Sequence, residues 1–297
     1  MLECKPLIVS CTEEGILEGA VDAPPVPWWS IGKTCLAACA LVLVARGRLA
    51  LDVPLPDRAY TLRQLLQHTS GLGSYTARPE YLAAIERGDV PWTDAELLSR
   101  IRLDPFLFGP GKAWSYSNTG YFLIRRLIEQ TTEADIDTAL RTLVFKPLGI
   151  RHTRIARRPA DLDNCAWGNA QGYHPGWVYQ GFLVGPPVDA ALFMHLLLRG
   201  NILPPQLQAA MRERRALDVP LEGRPWHTAG YGLGLMMNTA GSLGACIGHS
   251  GQCHDSVAAT YHFSELDPPR TVAAFAPVVD PAAAERAVVE AAARPQS

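Results

Sequence analysis

The segment from Ser30 to Gly47 constrains the fold most, because its composition requires burial along its whole length. It reads SIGKTCLAACALVLVARG and contains neither Gly nor Pro from Lys33 to Arg46. These residues predict one helix with Ser30 at its N-cap and Arg46 in its last turn. The apolar run 36–45 is shorter than the about 20 residues that span a bilayer. We therefore expect this helix inside a large hydrophobic core.

Charge and cysteine content exclude several function classes. The chain has 297 residues and a net charge of -2, which gives no basic surface for nucleic acid or an anionic membrane. The start MLECKPLIVS lacks the basic and apolar regions of a signal peptide, so the seven cysteines are expected to be free thiols. We expect a cytoplasmic protein without membrane or nucleic-acid partners, and the sequence carries no signal for an oligomeric state.

Short β-type runs occupy both ends of the chain, and helical patterns dominate between them. PLIVSCTEEGILEGAV predicts a hairpin that turns at Glu13 to Gly15. Helices are predicted for TLRQLLQHT, RPEYLAAIERG, TDAELLSRIRL, TGYFLIRRLIEQTT, DIDTALRTLVFKPLG, PPVDAALFMHLLLRG and the closing PAAAERAVVEAAARP. Strands are predicted for YGLGLMMNT, GACIGHSG, DSVAATYHFS and RTVAAFAPVV.

These elements predict an α+β fold whose antiparallel sheet is built from both termini. We assign residues 1–29 and 226–297 to the part that contains the sheet, and residues 30–225 to a mainly helical part. The helical part carries both Ser30 and Tyr116. A site at the seam between the two parts is expected, since ligands commonly bind where structural units meet.

A lysine near the start of the buried helix is the first candidate for chemistry. The chain has 27 basic residues, of which four are lysines, and Lys33 lies three residues after Ser30. At this spacing both side chains can face the same way. Serine becomes a nucleophile when a base removes its proton, and lysine can do so if burial lowers its pKa, whereas arginine cannot. A capping serine beside a solvated lysine is the alternative, because four-residue matches are common.

Two later segments carry further candidate groups. In WSYSNTGY, Tyr116 could share the base role, and Asn118 could hydrogen-bond both Lys33 and a substrate carbonyl. In GHSGQC, Gly251 would permit close approach of a ligand, and the amide of Gln252 could point at a developing oxyanion. Taken singly, each segment also fits an ordinary loop or turn.

Together the three segments resemble a known superfamily. Ser30-Ile-Gly-Lys33, Tyr116-Ser-Asn118 and His249-Ser-Gly251 are similar to the motifs of serine β-lactamases and penicillin-binding proteins, in the class C and family VIII esterase branch. LDVPLPDRAYTLRQLLQHTSGL (51–72), KPLGI (146–150) and YGLGL (231–235) resemble further stretches of that branch. The resemblance covers about residues 28–276 and implies a β-lactamase-like fold.

The resemblance implies an acyl-enzyme mechanism on a small-molecule ester or amide. Ser30 would attack the carbonyl, with Lys33 and Tyr116 handling its proton, and the backbone amides of Ser30 and Gln252 would hold the oxyanion. Substrate contacts are implied for Asn118, His249 and Gly251, and neither a metal nor a cofactor is needed. Water would release the acyl group in a hydrolase, and an amine or alcohol would do so in an acyltransferase. The arginine-rich, lysine-poor composition suggests a bacterial genome of high GC content and a role in secondary metabolism.

One departure from the branch bears on the substrate. His249 stands where β-lactamases and peptidases commonly place a lysine near a substrate carboxylate. This favours an esterase or acyltransferase over a β-lactamase or a D-amino-acid peptidase, which stay alternatives. A non-catalytic ligand-binding relative is an alternative of another class.

Three other interpretations have weaker support. GHSGQ resembles a Gly-x-Ser-x-Gly nucleophile elbow, but only 47 residues follow Ser250 to supply an acid and a histidine. The spacing of Cys246, His249, Cys253 and His254 fits no usual zinc site. His68, in HTSGL, is expected to stabilise a turn and not to catalyse.

Overall fold

The secondary structure was determined from a computed structural model, which describes residues 5–12, 14–15, 17–101, 103, 105–167, 172–253 and 255–295. The strands are β1 (Leu7–Thr12), β2 (Leu17–Gly19), β3 (Val26–Pro27), β4 (Arg154–Ala156), β5 (Phe182–Gly185), β6 (Arg215–Leu217), β7 (Ala229–Tyr231), β8 (Met236–Thr239), β9 (Ala245–Cys253), β10 (Ser256–Phe263) and β11 (Arg270–Ala276). The helices are α1 (Ile31–Ala45), α2 (Leu62–Leu66), α3 (Pro79–Glu86), α4 (Asp94–Ile101), α5 (Asn118–Thr132), α6 (Ile136–Leu140), α7 (Pro187–Leu198), α8 (Pro205–Met211) and α9 (Ala282–Ala292). None of the described helices is long and apolar enough to cross a membrane.

An antiparallel sheet joins the two ends of the chain, as predicted. Within the described residues its eight strands follow the order β2-β1-β11-β10-β9-β8-β7-β6. The predicted hairpin is the β1–β2 pair, in which Val9 lies opposite Gly19; Glu13, in its turn, lies outside the described residues. The α+β fold is confirmed. The division into residues 1–29 with 226–297 and residues 30–225 stays a prediction, and β6 of this sheet precedes residue 226.

Helices cover both faces of the sheet, because successive side chains of a strand point to opposite sides. On β11, Ala273 and Phe275 belong to the core that includes α1 and α7. Val272 and Ala274 belong to a second core, shared with α9. The predicted helix at 30–47 is α1, and it is buried from Ile31 to Leu43. Lys33, on α1, therefore lies deep in the molecule, between the helices and the sheet.

A second, three-stranded sheet of order β3-β5-β4 was not predicted. Its strands have two to four residues, which is too short for a periodic pattern to develop. It leads directly into α1, since the Trp28 amide donates to Leu183 O at 3.0 Å, and the Trp28 indole donates to Gly185 O at 3.1 Å. This small sheet therefore fixes where α1 begins.

The predicted helices are present, and differences lie mainly in their extent. The segment predicted at 135–149 is α6 followed by a π-helical turn, Arg141–Phe145. Helix α8 was not predicted. YGLGLMMNT, predicted as one strand, forms β7, a turn, and β8. Its Gly234 has φ +73, and a Cβ there would lie 2.4 Å from Ala37 Cβ, so glycine lets this turn pack against α1.

Candidate active site

Ser30 occupies the predicted N-cap position of α1, but its hydroxyl does not cap the helix. Instead Ser30 Oγ accepts a hydrogen bond from Lys33 Nζ at 3.0 Å. The preceding residue, Trp29, has φ 46, a left-handed conformation that is costly for a bulky side chain. Packing holds it there: its ring lies 4.7 Å from that of Phe182, and its indole donates to Ser256 Oγ at 3.0 Å. The turn thus presents a hydroxyl that is free for Lys33.

Lys33 is surrounded by aromatic rings. It is fully buried, and burial lowers the pKa of its amine from 10.5 to about 7. Its Nζ lies 4.9 Å from the ring centroid of Tyr116 and 5.6 Å from that of Tyr121. A substantial fraction of the amine is therefore unprotonated near neutral pH, and this fraction can accept the Ser30 proton.

Tyr116 adjoins the same hydroxyl. Burial raises the pKa of its phenol, and a hydrogen bond with the Ser30 side chain opposes part of that rise. The phenol therefore keeps its proton at neutral pH. A protonated phenol is suited to donating a proton, and the shared base role of Tyr116 stays a prediction from the sequence.

Asn118 is the first residue of α5 and turns away from Lys33. Its Nδ2 donates to Thr76 Oγ1 at 3.1 Å and to Ser74 Oγ at 3.3 Å. Its Oδ1 accepts from Gln180 Nε2 at 3.4 Å. The hydrogen bond to Lys33 that the sequence suggested is not formed. Asn118 does line the cavity beside Ser30, where its amide can meet a substrate.

Gly251 lets β9 pack directly against the start of α1. A Cβ at this position would lie 2.5 Å from the Ser30 backbone nitrogen and 2.6 Å from Trp29 Cβ. The pairing of β8 with β9 ends at Gly248, so the rest of this strand edge faces α1. Within the described part of the chain, the Ser30 amide donates to no backbone carbonyl. That amide, with the one of Gln252, stays the predicted pair of oxyanion donors.

His249 lies on the same face of β9 as Gly251 but does not line the cavity. It is fully buried, its Nε2 is 2.9 Å from Tyr231 Oη, and its Nδ1 is 2.6 Å from Ser250 O. Both ring nitrogens are therefore engaged within the protein, and the contact of His249 with substrate stays a prediction. Burial, followed by the Lys33 charge, lowers the pKa of His249 to about 3.

His68 and Tyr231 complete the surroundings of Lys33. His68 has φ 60, in line with the expected role in a turn, but its buried ring also lies 3.2 Å from Tyr231 Oη through Nε2. Burial first, then the charges of Lys33 and His249, lower the pKa of His68 well below 6.5. The sequence does not single out Tyr231 as a site residue, although it begins the YGLGL stretch that carries part of the family resemblance.

A cavity of about 100 Å³ opens beside Ser30. Five of its lining side chains are aromatic: Trp29, Tyr75, Tyr81, Tyr173 and Trp177. Besides Ser30, four are neutral and polar: Thr76, Asn118, Gln180 and Gln252. Among the described residues, the lining contains no Asp, Glu, Lys, Arg or His. The cavity therefore suits an uncharged group with a flat or apolar surface.

The alternative serine and the cysteine cluster lie elsewhere. Ser250 Oγ donates to the buried carboxylate of Glu285 and approaches Tyr261 Oη at 2.8 Å, on the far side of β9 from Ser30. In the part of the chain that the structure describes, no three His, Cys, Asp or Glu side chains could hold a metal ion together. His254 lies outside the described residues.

Comparisons with known proteins place this chain among related sequences. The chain is 31% identical over 160 residues to a penicillin-binding protein of Bacillus subtilis, and 49% of this chain and 34% of that protein are aligned. It is 33% identical over 142 residues to esterase EstB of Burkholderia gladioli, covering 41% of this chain and 36% of the esterase. The alignments thus span about a third of these curated relatives.

A solved structure covers nearly the whole chain. The D-stereospecific amidohydrolase from a Streptomyces species superposes with a TM-score of 0.84 at 24% identity, covering 99% of this chain and 95% of that one. This likeness establishes the β-lactamase-like fold. Residues 25–289 also match the Beta-lactamase family as a whole. Since this match covers most of the length of the chain, the chain belongs to the Beta-lactamase family.

Proposed function

We propose that this protein is a serine hydrolase that cleaves small uncharged esters or amides through an acyl-enzyme at Ser30. One observation carries the proposal: Lys33 Nζ lies 3.0 Å from Ser30 Oγ. Burial lowers the pKa of this amine to about 7. A solvated lysine with a capping serine, the ordinary alternative, would have an exposed amine and a hydroxyl bonded to the helix. Here the amine is buried, and the hydroxyl does not cap.

The proposed acylation step moves protons three times and, in net, carries the Ser30 proton to the leaving group. Neutral Lys33 takes the proton of Ser30 Oγ as the oxygen attacks the carbonyl carbon, and the amides of Ser30 and Gln252 stabilise the oxyanion. The carbonyl then re-forms as the bond to the leaving alcohol or amine breaks. The protonated phenol of Tyr116 supplies a proton to that leaving group and regains one from Lys33, so the charge of the site is restored. Water attacks the acyl-enzyme by the same route in reverse.

The neutral aromatic cavity supports an uncharged acyl group. A carboxylate-bearing β-lactam or peptide needs a cation to offset its desolvation, and the described lining offers none. His249 stands where relatives commonly carry a lysine, and it is buried with both nitrogens bonded. These observations favour an esterase or amidase over the alternative of a β-lactamase or D-amino-acid peptidase. Transfer to an amine or alcohol and a role in secondary metabolism stay predictions from the sequence.

Active-site labelling tests the proposal. A fluorophosphonate probe should add once to the wild-type protein and not to Ser30→Ala, as measured by intact mass. Ser250→Ala is the matched control, because it removes the serine of the rival elbow motif, and we expect it to be labelled. An unlabelled wild type would support a non-catalytic binding protein, and a labelled Ser30→Ala would move the nucleophile elsewhere.

A panel of substrates then sets the reaction class. Nitrophenyl esters with acetyl, butyryl and phenylacetyl groups should be cleaved, and each should leave a transient acyl adduct on Ser30. D- and L-amino-acid amides and a cephalosporin are compared at the same concentrations. Faster turnover of the cephalosporin than of every ester would contradict the proposed substrate class.

A further inference from the structure

We infer that His68, Tyr231 and His249 are positioning residues for the Ser30–Lys33 pair, linked in an ordered hydrogen-bond chain that keeps the surroundings of Lys33 uncharged. The inference rests on the proposed function and adds three residues to it. Two of these are histidines, which at neutral pH are the side chains most able to acquire a charge beside a lysine base.

At one end of this hydrogen-bond chain, a backbone amide fixes the direction of the hydrogen bonds. The Ser117 N–H donates to His68 Nδ1 at 3.1 Å, so Nδ1 carries no proton. The proton of the neutral ring is then on Nε2, which lies 3.2 Å from Tyr231 Oη and donates to it. A second proton on His68 would face the Ser117 N–H, donor against donor. The geometry therefore holds His68 neutral.

A backbone carbonyl fixes the other end. His249 Nδ1 lies 2.6 Å from Ser250 O, which can only accept, so Nδ1 carries the proton. His249 Nε2 then accepts from Tyr231 O–H at 2.9 Å. Protonating His249 would turn Nε2, the acceptor of the Tyr231 hydrogen bond, into a second N–H donor facing the Tyr231 hydroxyl. The two histidines are therefore held in opposite tautomers.

The hydrogen-bond chain lies beside the Tyr116 ring, over which Lys33 Nζ is placed. The His68 ring lies 4.3 Å from that of Tyr116 at 37°, and the His249 ring lies 6.5 Å from it. Tyr121 also approaches: its hydroxyl donates to Leu66 O at 2.8 Å, and its side chain also hydrogen-bonds that of Tyr231. The titratable groups around the amine are thus His68 after α2, Tyr116 before α5, Tyr121 on α5, Tyr231 on β7 and His249 on β9.

Neutrality of this shell has a direct consequence for the base. A carboxylate in it would stabilise protonated Lys33, whereas a second cation would repel it. The chain supplies neither charge, and its backbone anchors, Ser117 and Ser250, lie inside the second and third motifs. It therefore also fixes Tyr116 and Gly251 relative to α1, and a displacement of about 1 Å at such groups costs roughly 100-fold in rate.

The hydrogen-bond chain can be tested without an activity assay. In protein with ¹⁵N-labelled histidine, the ring nitrogens of His68 should show the Nε2–H tautomer and those of His249 the Nδ1–H tautomer. Both should be unchanged between about pH 5 and 8, with His68→Gln and His249→Gln used for assignment. Titration of either ring within that range, or the same tautomer in both, would overturn the inference.

The positioning role is tested with Tyr231→Phe, which keeps the ring and removes the hydrogen bonds to the two histidines together with the one to Tyr121. Tyr261→Phe is the matched control, because it removes a buried tyrosine hydroxyl on the opposite side of β9. For fluorophosphonate labelling of Ser30, we expect Tyr231→Phe to be about tenfold slower or worse and to have a shifted pH profile. Tyr261→Phe should keep both the wild-type rate and profile.

Equal effects of the two variants would overturn the positioning role. An unlabelled wild type would instead overturn the proposed function, and the tautomer measurement alone would then test whether the ordered hydrogen-bond chain exists. If Tyr231→Phe fails to fold, His249→Gln replaces it in the same comparison.

Discussion

Gly251 and Ser30 are in backbone contact, and the contact leaves no room for a side chain. A Cβ on Gly251 would lie 2.5 Å from the Ser30 amide nitrogen, closer than nonbonded atoms approach. Strand β9 and the first turn of α1 are therefore held at a separation that only glycine allows. The amides that flank this contact, those of Ser30 and Gln252, are the proposed oxyanion donors.

Gly251→Ala should lower kcat/KM for ester cleavage by about 10²-fold, since the added methyl group displaces β9 from Ser30 and with it one oxyanion donor. Gly109→Ala is the control, because its Cβ would meet only Lys112 Cγ at 3.5 Å. Steady-state kinetics of both variants, with circular dichroism to confirm folding, provide the measurement. Wild-type kinetics in Gly251→Ala would show that this strand does not hold the oxyanion.

The rate of ester cleavage at Ser30 should increase with pH around neutrality. Burial lowers the pKa of Lys33 to about 7, so the amine is protonated and inactive below that pH and is a base above it. The neighbouring histidines add no step there, because their own pKa values lie well below 6.5. A pH–rate profile with an uncharged ester provides the measurement. A midpoint near 10 would mean that Lys33 is not the base.

Lys33→Arg should abolish turnover although it conserves the charge. A guanidinium stays protonated throughout the accessible pH range and cannot take the Ser30 proton. Labelling at several pH values checks this, with melting temperature recorded for each sample. Substantial turnover in a folded Lys33→Arg protein would reduce the lysine to an electrostatic support.

Lys33→Met should raise the free energy of unfolding while it abolishes activity. The folded-state pKa of Lys33 is about 7 and the reference value is 10.5, so between these values the unfolded chain binds more protons. Stability of the wild type is therefore lost as the pH falls from 10.5 to 7. By this linkage the buried lysine costs about 5 kcal/mol at pH 6 and about 2 kcal/mol at pH 9. Urea unfolding of both proteins at the two pH values measures the difference between their free energies of unfolding, which should become smaller as the pH rises. A difference that does not depend on pH would contradict the lowered pKa.

The sequence predicted the parts of the site that depend on local spacing. Ser30 and Lys33 share one helical turn, and that relation follows from three residues of separation. The cavity could not be predicted in this way, because Tyr75 and Trp177 meet only through tertiary folding and belong to no common motif. The orientation of His249 shows the same limit. Alternation along β9 puts it on the face of Gly251, but its hydrogen bond with Tyr231 depends on the packing of β7.

The last prediction separates hydrolysis from acyl transfer, which share the acyl-enzyme and differ in what attacks it. Aromatic side chains, Trp29 among them, lie beside Ser30, and an acceptor bound next to the acyl group would compete with water through its raised effective concentration. If an acceptor binds there, adding an aromatic amine or alcohol should speed release of the leaving group whenever deacylation limits turnover, and should yield a new amide or ester. Product partitioning by mass spectrometry across acceptor concentrations measures this, and methylamine, which has no ring to pack, is the control acceptor. A new product that saturates with the aromatic acceptor but not with methylamine would identify a transferase site. Free acid as the only product across the panel would identify a plain hydrolase.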